Sequence, residues 1–191
     1  MAKKELPGTE VKVVFTYHDY LEFPPDGKRY EIIDGDVFVT PSPSFDHQRI
    51  VGNVYFVVRP HVEASDLGVV VLSPFDVVLD MTNVVQPDLV FIAKKNLKRV
   101  ERDLKGPPDL AVEVLSPTTE RHDRTLKLRA YEKHGVPHLW LLDPRTRSLE
   151  EYVLAKGKLR LNVKLTNGAM FEPKAFPDLV IPLAKVWPKK N

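Results

Sequence analysis

Three charged residues lie in stretches of this chain that are otherwise apolar. Asp88 interrupts VVQPDLVFIA, Glu113 interrupts DLAVEVLS, and Lys127 falls within the helical pattern that follows. Removing an isolated charge from water costs several kcal/mol, so charges in a protein interior are normally paired or bind a metal ion. A fold that buries these segments must bring partners to all three charges, which makes them the first candidates for a functional site.

Length and charge narrow the class of protein. The 191 residues are enough for one domain of ordinary size. We expect a single domain over residues 1–191, with a loose arm over 1–14, a core over 15–153, and C-terminal strands and a tail over 154–191. The 28 basic and 26 acidic residues give a formal charge of only +2. Any nucleic-acid site must therefore come from local clustering of charge.

Several functions are excluded by what the sequence lacks. The chain has no cysteine, which excludes disulfides, thiolate zinc sites and cysteine nucleophiles. The start, MAKKELPGTE, has no apolar stretch like that of a signal peptide, and no run approaches the roughly 18 apolar residues of a membrane span. Phosphate-binding glycine loops and the HExxH and GxSxG motifs are also absent. We expect a soluble cytoplasmic protein with no membrane partner.

Hydrophobic periodicity predicts an α/β fold. RYEIIDGDVFVT, residues 29–40, is typical of a β-hairpin, because Asp34-Gly35 accepts the positive φ angles of a tight turn. Helical spacing of apolar residues predicts a helix over Phe45–Ala64, capped by Ser44 or Asp46. Alternation from Leu149 onward predicts antiparallel strands. The other predicted elements are a short helix over Tyr17–Leu21 capped by Thr16, strands over Val69–Leu72, Asp76–Leu79, Val84–Ala93, Leu110–Leu115 and His138–Leu142, and a helix over Thr118–His134 that Gly135 ends.

The helical repeat indicates the direction of Lys127. At about 100° per residue, Lys127 points to the same side as the apolar residues of its helix, which are Leu126, Leu128, Ala130 and Tyr131. Asp123 lies one turn earlier and is a candidate ion-pair partner. Glu113 is the only charge in Leu110–Leu115, whose two faces are otherwise apolar, as in a strand covered on both sides.

Two carboxylates on neighbouring strands and an inward lysine form the set that metal-dependent phosphodiester hydrolysis requires. Mg²⁺ prefers oxygen ligands and keeps several waters, so one or two protein carboxylates can bind it. The metal activates water and neutralises the charge that develops on the phosphoryl group, and a nearby lysine orients that water or stabilises the same charge. The sequence thus favours Asp88 and Glu113 as metal ligands and Lys127 as a catalytic residue.

These residues resemble the motif of the PD-(D/E)xK nuclease superfamily, in which one strand carries Asp and the next carries Asp/Glu-x-Lys. More closely, YEIIDGDVFVTPSPSFDHQRIVGN, SPFDVVLD, VVQPDLVFIA and DLAVEVLSPTTERHDRTLKLRAYEKHGVPHLWLLDP resemble the Uma family of restriction endonucleases over about residues 15–153. The resemblance implies a restriction-endonuclease-like α/β (α+β) fold. This fold has a mixed central sheet flanked by helices, an N-terminal β-hairpin and C-terminal antiparallel strands.

The same resemblance implies roles for individual residues. Asp88 and Glu113 would bind Mg²⁺, or Mn²⁺ as a substitute, together with the backbone carbonyl of Val114. Leu115 stands where the superfamily pattern has its lysine. In the Uma group that lysine is placed on the following helix, which is the position that the helical repeat separately indicates for Lys127.

Simpler structural roles compete with these assignments. The resemblance gives Glu31 of YEIIDG a place near the site, but a hairpin surface charge explains this residue equally well. Asp88 could cap a turn after Pro87, and Glu113 could form a structural ion pair with Lys127. The lysine could also extend its ammonium to the surface from a buried stem.

The sequence gives weaker evidence that other polar residues lie in the site. His47, near the start of the first long helix, is expected in the capping region or on the surface. Gln86 shares the face of Asp88 and is a weak candidate for contact with the site. Two sets of basic residues could contact phosphates or face solvent; they are Lys94, Lys95, Lys98, Arg99 and Arg102, and Arg121, Arg124 and Arg129.

The leading functional hypothesis is a Mg²⁺-dependent endonuclease that hydrolyses DNA phosphodiester bonds. The alternative is a catalytically silent nuclease-fold domain that binds nucleic acid or a protein partner. Hydrolysis of a phosphate ester outside nucleic acid is a third, more distant hypothesis. A homodimer is expected, because cutting both strands requires two sites and two-fold dimers are the commonest oligomers.

Overall fold

Two large β-sheets and one small sheet contain the strands in the computed structural model, which describes residues 12–117 and 120–188. Residues 1–11 of the predicted arm, Thr118 and Thr119 of the predicted second long helix, and residues 189–191 of the predicted tail lie outside the described residues. Across the described ranges, no helix is both long and apolar enough to cross a membrane.

The helices and strands follow each other as the sequence predicts, with a few additional short elements. The helices are α1 Tyr17–Leu21, α2 Phe45–Ala64, α3 Glu120–His122 and α4 Leu128–Lys133, with a π-helical turn over Asp123–Lys127 and 3₁₀ helices over Lys94–Arg99 and Leu183–Lys185. The strands are β1 Arg29–Ile33, β2 Asp36–Thr40, β3 Gly68–Leu72, β4 Val77–Asp80, β5 Asn83–Val85, β6 Leu89–Ala93, β7 Leu104–Lys105, β8 Leu110–Val114, β9 His138–Asp143, β10 Ser148–Ala155, β11 Lys158–Thr166, β12 Met170–Phe171 and β13 Ile181–Pro182.

The central sheet is mixed, which confirms the predicted fold class. Its six strands have the order β11-β10-β9-β8-β6-β3, with β8 and β9 parallel and the other neighbours antiparallel. One face packs on α2, and the other faces α4 and a five-stranded sheet of order β2-β1-β5-β4-β7. The β1–β2 hairpin and the antiparallel C-terminal strands lie where the sequence predicts them.

The sequence around α2 explains how this helix begins and what it packs against. The Ser44 side chain accepts a hydrogen bond from the backbone N–H of His47 at 3.2 Å and so caps the first turn. One stripe of the helix is buried against the central sheet, and its apolar members are Ile50, Val51, Val54, Val58 and Val62.

Strand alternation decides which side chains enter the space between the two large sheets. Val112 and Val114 pack on the α2 side of the central sheet, whereas Ala111 and Leu115 pack in the second core with the five-stranded sheet and α4. Glu113 has the same parity as Ala111 and Leu115. Its carboxylate is therefore directed into the space between the sheets.

The predicted strand Val84–Ala93 is two strands. β5 ends at Val85 in the five-stranded sheet, and β6 begins at Leu89 in the central sheet. Pro87 has no N–H to donate to a strand ladder, so the chain leaves one sheet and enters the other across Gln86-Pro87-Asp88. The prediction of one continuous strand was wrong, and the break places Asp88 between the two sheets.

The second long helix is irregular where the site residues lie. Its described part is helical from Glu120 to Lys133, but a π-helical turn covers Asp123–Lys127, so the assumed repeat of about 100° per residue does not hold there. Lys127 is nevertheless buried, with a relative exposure of 6%. Gly135 follows the helix with a φ of +77°, a left-handed conformation that ends it as predicted.

Candidate active site

Four charged side chains from four different segments meet between the two large sheets. Glu31 comes from β1, Asp88 from the crossing between β5 and β6, Glu113 from β8 and Lys127 from the π-helical turn. Their relative exposures are 4%, 5%, 3% and 6%, respectively. The structure thus brings all four sequence-predicted side chains into one buried cluster.

Lys127 lies among three carboxylates. Its Nζ is 2.9 Å from Glu31 Oε1, 3.1 Å from Glu113 Oε1 and 3.6 Å from Asp123 Oδ1. Burial lowers the pKa of Lys127, but the attraction of Glu113, Glu31 and Asp123 outweighs it, so this pKa is raised well above its usual range. The ammonium therefore remains charged in the interior.

Glu113 is held by two donors on the same oxygen. Lys127 Nζ donates to Glu113 Oε1 at 3.1 Å, and Tyr131 Oη donates to it at 2.5 Å. Burial raises the pKa of Glu113 well above its usual range, and repulsion by Asp123, Asp88 and Glu31 adds to this against the opposing effect of Lys127. Burial and the neighbouring carboxylates thus disfavour the charged form of Glu113, and a cation bound beside it would stabilise that form.

Asp88 has a different environment, in which hydrogen-bond donors dominate. Its Oδ2 accepts a hydrogen bond from the backbone N–H of Val114 at 2.8 Å and lies 3.1 Å from His47 Nε2. Its Oδ1 is 3.6 Å from Arg29 Nη1. Burial raises the pKa of Asp88, but the interactions with His47 and Val114 outweigh burial and lower it below the usual range.

The cluster opens onto a cavity. A space of about 330 Å³ has Asp88, Glu113, Val114 and Lys127 in its wall. A second cavity of about 350 Å³ shares His47 with it, and a third of about 210 Å³ shares Lys127 and adds Glu31. Because each neighbouring cavity shares wall residues with the first, all three lie beside the buried cluster.

The donor set suits a hard divalent cation. Four carboxylates lie on or beside the first cavity, those of Glu31, Asp88, Glu113 and Asp123, whereas the lysines and arginines in its wall are Lys127 and Arg29. No three His, Cys, Asp or Glu side chains are grouped to hold a metal ion by themselves in residues 12–117 and 120–188. The predicted set uses only two carboxylates and a backbone carbonyl, and such a set suits Mg²⁺, which keeps several waters.

Comparison with known proteins identifies the family. The model of the Uma2 family, described as "Putative restriction endonuclease", matches residues 17–184. The chain belongs to the Uma2 family. This confirms the resemblance predicted from the sequence.

One solved structure extends the comparison to the fold of this Uma2 protein. It is a crystal structure described as "a putative nuclease belonging to DUF820 from Anabaena variabilis ATCC 29413". The two folds superpose with a TM-score of 0.75 at 20% sequence identity, over 90% of this chain and 97% of the other. No curated protein sequence matches the chain. The structural match therefore supports a nuclease fold for this Uma2 protein.

Two simpler interpretations of the site residues were wrong. The Lys127 side chain is only 7% exposed, so it does not carry its charge to the surface. Glu31 is not a hairpin surface charge, because its Oε1 accepts a hydrogen bond from the backbone N–H of Gln86 at 2.7 Å and pairs with Lys127. The ion pair between Glu113 and Lys127 does exist, but it is one contact of a larger cluster.

His47 lies in the capping region, one of its two expected locations, but it is not at the surface. Its side chain is 9% exposed and contacts Asp88, although its backbone lies in the capped first turn as expected. The sequence carried a usable signal, because His47 precedes Ile50 and Val51 by three and four residues and so continues the buried stripe of α2. Its Nδ1 is buried without a hydrogen-bond partner among the described residues.

Two further residues of the site were not predicted to act there. Tyr131 was expected only to pack with the core, yet its hydroxyl contacts Glu113. Arg29 lines the first cavity next to Asp88. Its position at the start of a hairpin strand gives no local signal of burial, because the partner that covers it is distant in sequence.

The basic residues considered for phosphate contact do not line the three cavities described above. Lys94, Lys95, Lys98 and Arg99 form a 3₁₀ helix that follows β6. Arg124 is paired with Glu150 at 2.7 Å. These residues are not part of the buried cluster, and their contact with phosphates stays a prediction.

Proposed function

We propose that this Uma2 protein is a Mg²⁺-dependent endonuclease that hydrolyses phosphodiester bonds of DNA. The observation that carries the proposal is the meeting of Asp88, Glu113 and Lys127 at one cavity between the two sheets. The family match and the similarity to a nuclease fold support the same reaction class.

Asp88 and Glu113, with the backbone carbonyl of Val114, would hold the metal. When bound there, Mg²⁺ activates a water molecule and neutralises charge on the phosphoryl group. The interactions of Asp88 with His47 and the Val114 N–H keep this carboxyl group ionised, as its lowered pKa indicates. Asp88 is therefore ready to bind a cation at neutral pH.

Lys127 and Tyr131 act on Glu113 as positioning residues. Both donate to Oε1 of the Glu113 carboxylate, which fixes the orientation of the group. The Lys127 ammonium also contacts Glu31 and Asp123. We therefore infer that Lys127 also neutralises part of the negative charge of the carboxylate cluster, in addition to its predicted catalytic role.

A cleavage assay with a matched control tests the proposal. Wild-type protein is incubated with plasmid and short duplex DNA in Mg²⁺, in Mn²⁺ and in EDTA, and compared with Asp88→Asn. We expect metal-dependent cleavage that falls by more than about 100-fold in the variant, since the loss of a direct metal ligand should cost more than the roughly 10- to 100-fold of an outer-shell partner. Glu151→Gln is the control, because Glu151 is a fully buried carboxylate that binds Asn162 and the Lys174 N–H outside the cavity. Equal cleavage by wild type and Asp88→Asn would remove Asp88 from the site.

One observation favours the second candidate, a catalytically silent domain that binds nucleic acid or a protein partner. The Lys127 ammonium has three N–H donors and lies against three carboxylates, so all of its donors are directed at the protein rather than at a substrate. DNA binding with a steep salt dependence, no effect of Mg²⁺ and no cleavage would support this alternative.

The proposed homodimer and cytoplasmic location stay predictions. Two copies would provide one site for each strand of a duplex. Light scattering on the purified chain at several concentrations measures the assembly, and a mass of one chain throughout would refute the dimer.

A further inference from the structure

The two cations of the first cavity differ in how their donors are used. Lys127 is surrounded by Glu31, Glu113 and Asp123. Among residues 12–117 and 120–188, the Arg29 side chain has one hydrogen bond, from Nη1 to Ser73 Oγ at 3.0 Å, and a longer contact of 3.6 Å with Asp88 Oδ1. A guanidinium carries five N–H donors, so Arg29 is far less engaged than Lys127.

Solvent does not fully make up for the missing partners of Arg29. Its side chain is only 22% exposed. Its Nε is buried and has no hydrogen-bond partner among the described residues. Leaving a charged donor buried and unsatisfied is costly, and such groups are usually explained by function or by a missing ligand.

The acidic wall of the cavity would repel an anionic substrate unless a cation is available to bind it, and Arg29 can be that cation. A phosphodiester is an anion, and the carboxylates of Asp88, Glu113 and Asp123 in the cavity wall repel it. Lys127 is already balanced by its three carboxylates. An arginine with open donors is well suited to hold phosphate, because its planar fork can donate two parallel hydrogen bonds to the oxygens.

We propose that Arg29 is a substrate-binding residue that donates to the non-bridging oxygens of the phosphodiester in the cavity. This inference deepens the proposed nuclease function and rests on it for the identity of the substrate. Because Arg29 lies beside Asp88 Oδ1, a phosphate that it holds lies next to one of the two proposed metal ligands. Arg29 thus connects substrate binding to the carboxylate cluster.

The test measures binding of thymidine 3′,5′-bisphosphate by calorimetry in Ca²⁺, with no turnover required. Arg29→Met removes the charge at similar size, Arg29→Lys keeps the charge but not the fork, and Arg160→Met removes an exposed arginine of β11 as a control. We expect Arg29→Met to weaken binding by about 10- to 100-fold. Arg29→Lys should be intermediate, and Arg160→Met should match wild type.

A Mn²⁺ titration separates this role from a structural one. Removing a cation next to Asp88 leaves the carboxylate more available, so Arg29→Met should bind Mn²⁺ at least as tightly as wild type. Weaker Mn²⁺ binding in step with the loss of bisphosphate would mean that Arg29 only supports the fold, and it would overturn the inference. Bisphosphate binding within two-fold of wild type in Arg29→Met, or no binding by wild type, would also overturn it.

The assay also distinguishes this inference from the proposed activity. Bisphosphate binding that depends on Arg29, in a protein that cleaves none of the DNA substrates, would uphold Arg29 as a phosphate ligand and count against the endonuclease. DNA cleavage that is equally fast in wild type and Arg29→Met would refute the role of Arg29 and leave the endonuclease intact.

Discussion

Replacing Lys127 with methionine tests how strongly this ammonium is embedded in the carboxylate cluster. Its Nζ lies 2.9, 3.1 and 3.6 Å from three carboxylate oxygens. At an effective dielectric constant of about 20, a contact with an ionised carboxylate at these distances is worth about 5 kcal/mol of Coulomb energy before the cost of desolvation. Breaking a buried ion pair from one side typically costs about 3–5 kcal/mol.

Proton uptake limits the loss in Lys127→Met. Besides Glu113, whose pKa is already raised in the wild type, a further carboxyl group of the cluster can be protonated at pH 7 for about 3–4 kcal/mol, so the variant relieves its excess negative charge in this way rather than by unfolding. We therefore expect the free energy of unfolding to fall by about 4 kcal/mol at pH 7.

The loss should depend on pH, and its sign follows from the linkage of protons to folding. In the variant a carboxyl group has a folded-state pKa above its unfolded value, so folding takes up a proton and stability decreases as pH rises toward that folded pKa. The folded variant binds one proton more than the folded wild type. Its loss of unfolding free energy relative to wild type should therefore shrink by about 1.4 kcal/mol for each pH unit from pH 7 toward pH 5.

Urea unfolding followed by circular dichroism between pH 5 and pH 8 measures this deficit. Lys133→Met is the control, since Lys133 is on α4 with a side chain that is 57% exposed and pairs with Asp34. We expect the control to change stability by less than about 1 kcal/mol. A deficit below about 1 kcal/mol in Lys127→Met, with no dependence on pH, would refute the burial of a charged ammonium in this cluster.

Three further predictions concern the site and the fold. Tyr131→Phe removes a hydrogen bond to Glu113 and should lower the free energy of unfolding by about 1–3 kcal/mol, measured by urea unfolding; an unchanged stability would exclude that bond. Because burial raises the pKa of Glu113, protons compete with Mn²⁺ for this carboxyl group, so Mn²⁺ affinity measured by calorimetry should increase from pH 5 to pH 8; a flat profile would contradict the raised pKa. Gly68→Ala should unfold the protein or lower its melting temperature strongly, because Gly68 has a φ of +149° and a Cβ there would lie 2.1 Å from the carbonyl oxygen of Ile92. The control Gly52→Ala, in open space on α2, should be neutral or stabilising in the same melting experiment.

Local sequence was sufficient to find the central residues of the buried charge cluster. Asp88 and Glu113 were found because each is a single charge in an apolar run, and the energetic cost of burying a charge does not depend on knowing the fold. Lys127 was found because its helix has a clear apolar side. The π-helical turn changed the local geometry but not the burial of this residue.

The partners of these residues could not be predicted because they depend on contacts between distant segments. Glu31 reaches Lys127 only because β1 and β5 belong to a second sheet that covers the first. Arg29 enters the cavity by the same route. The change of sheet at Pro87 is a further example, since an apolar run with one proline does not reveal which sheet each half joins.

The sequence around His47 indicates that this side chain is buried, but not what it contacts. Its position on the stripe of Ile50 and Val51 indicated burial, but a histidine near a helix start is also common at the surface. What the stripe could not show is that the imidazole lies 3.1 Å from Asp88. That distance depends on how α2 packs against the central sheet.

Calorimetric titration of Mn²⁺ into wild type, Asp88→Ala and Glu113→Ala tests the central claim most directly, because it does not depend on a choice of DNA substrate. A metal site formed by these carboxylates predicts about one ion per chain in wild type and loss of binding in both variants, with circular dichroism showing that each remains folded. Absence of binding to folded wild type at millimolar Mn²⁺, or unchanged binding in both variants, would contradict the metal site and leave Glu113 and Lys127 as a structural ion pair.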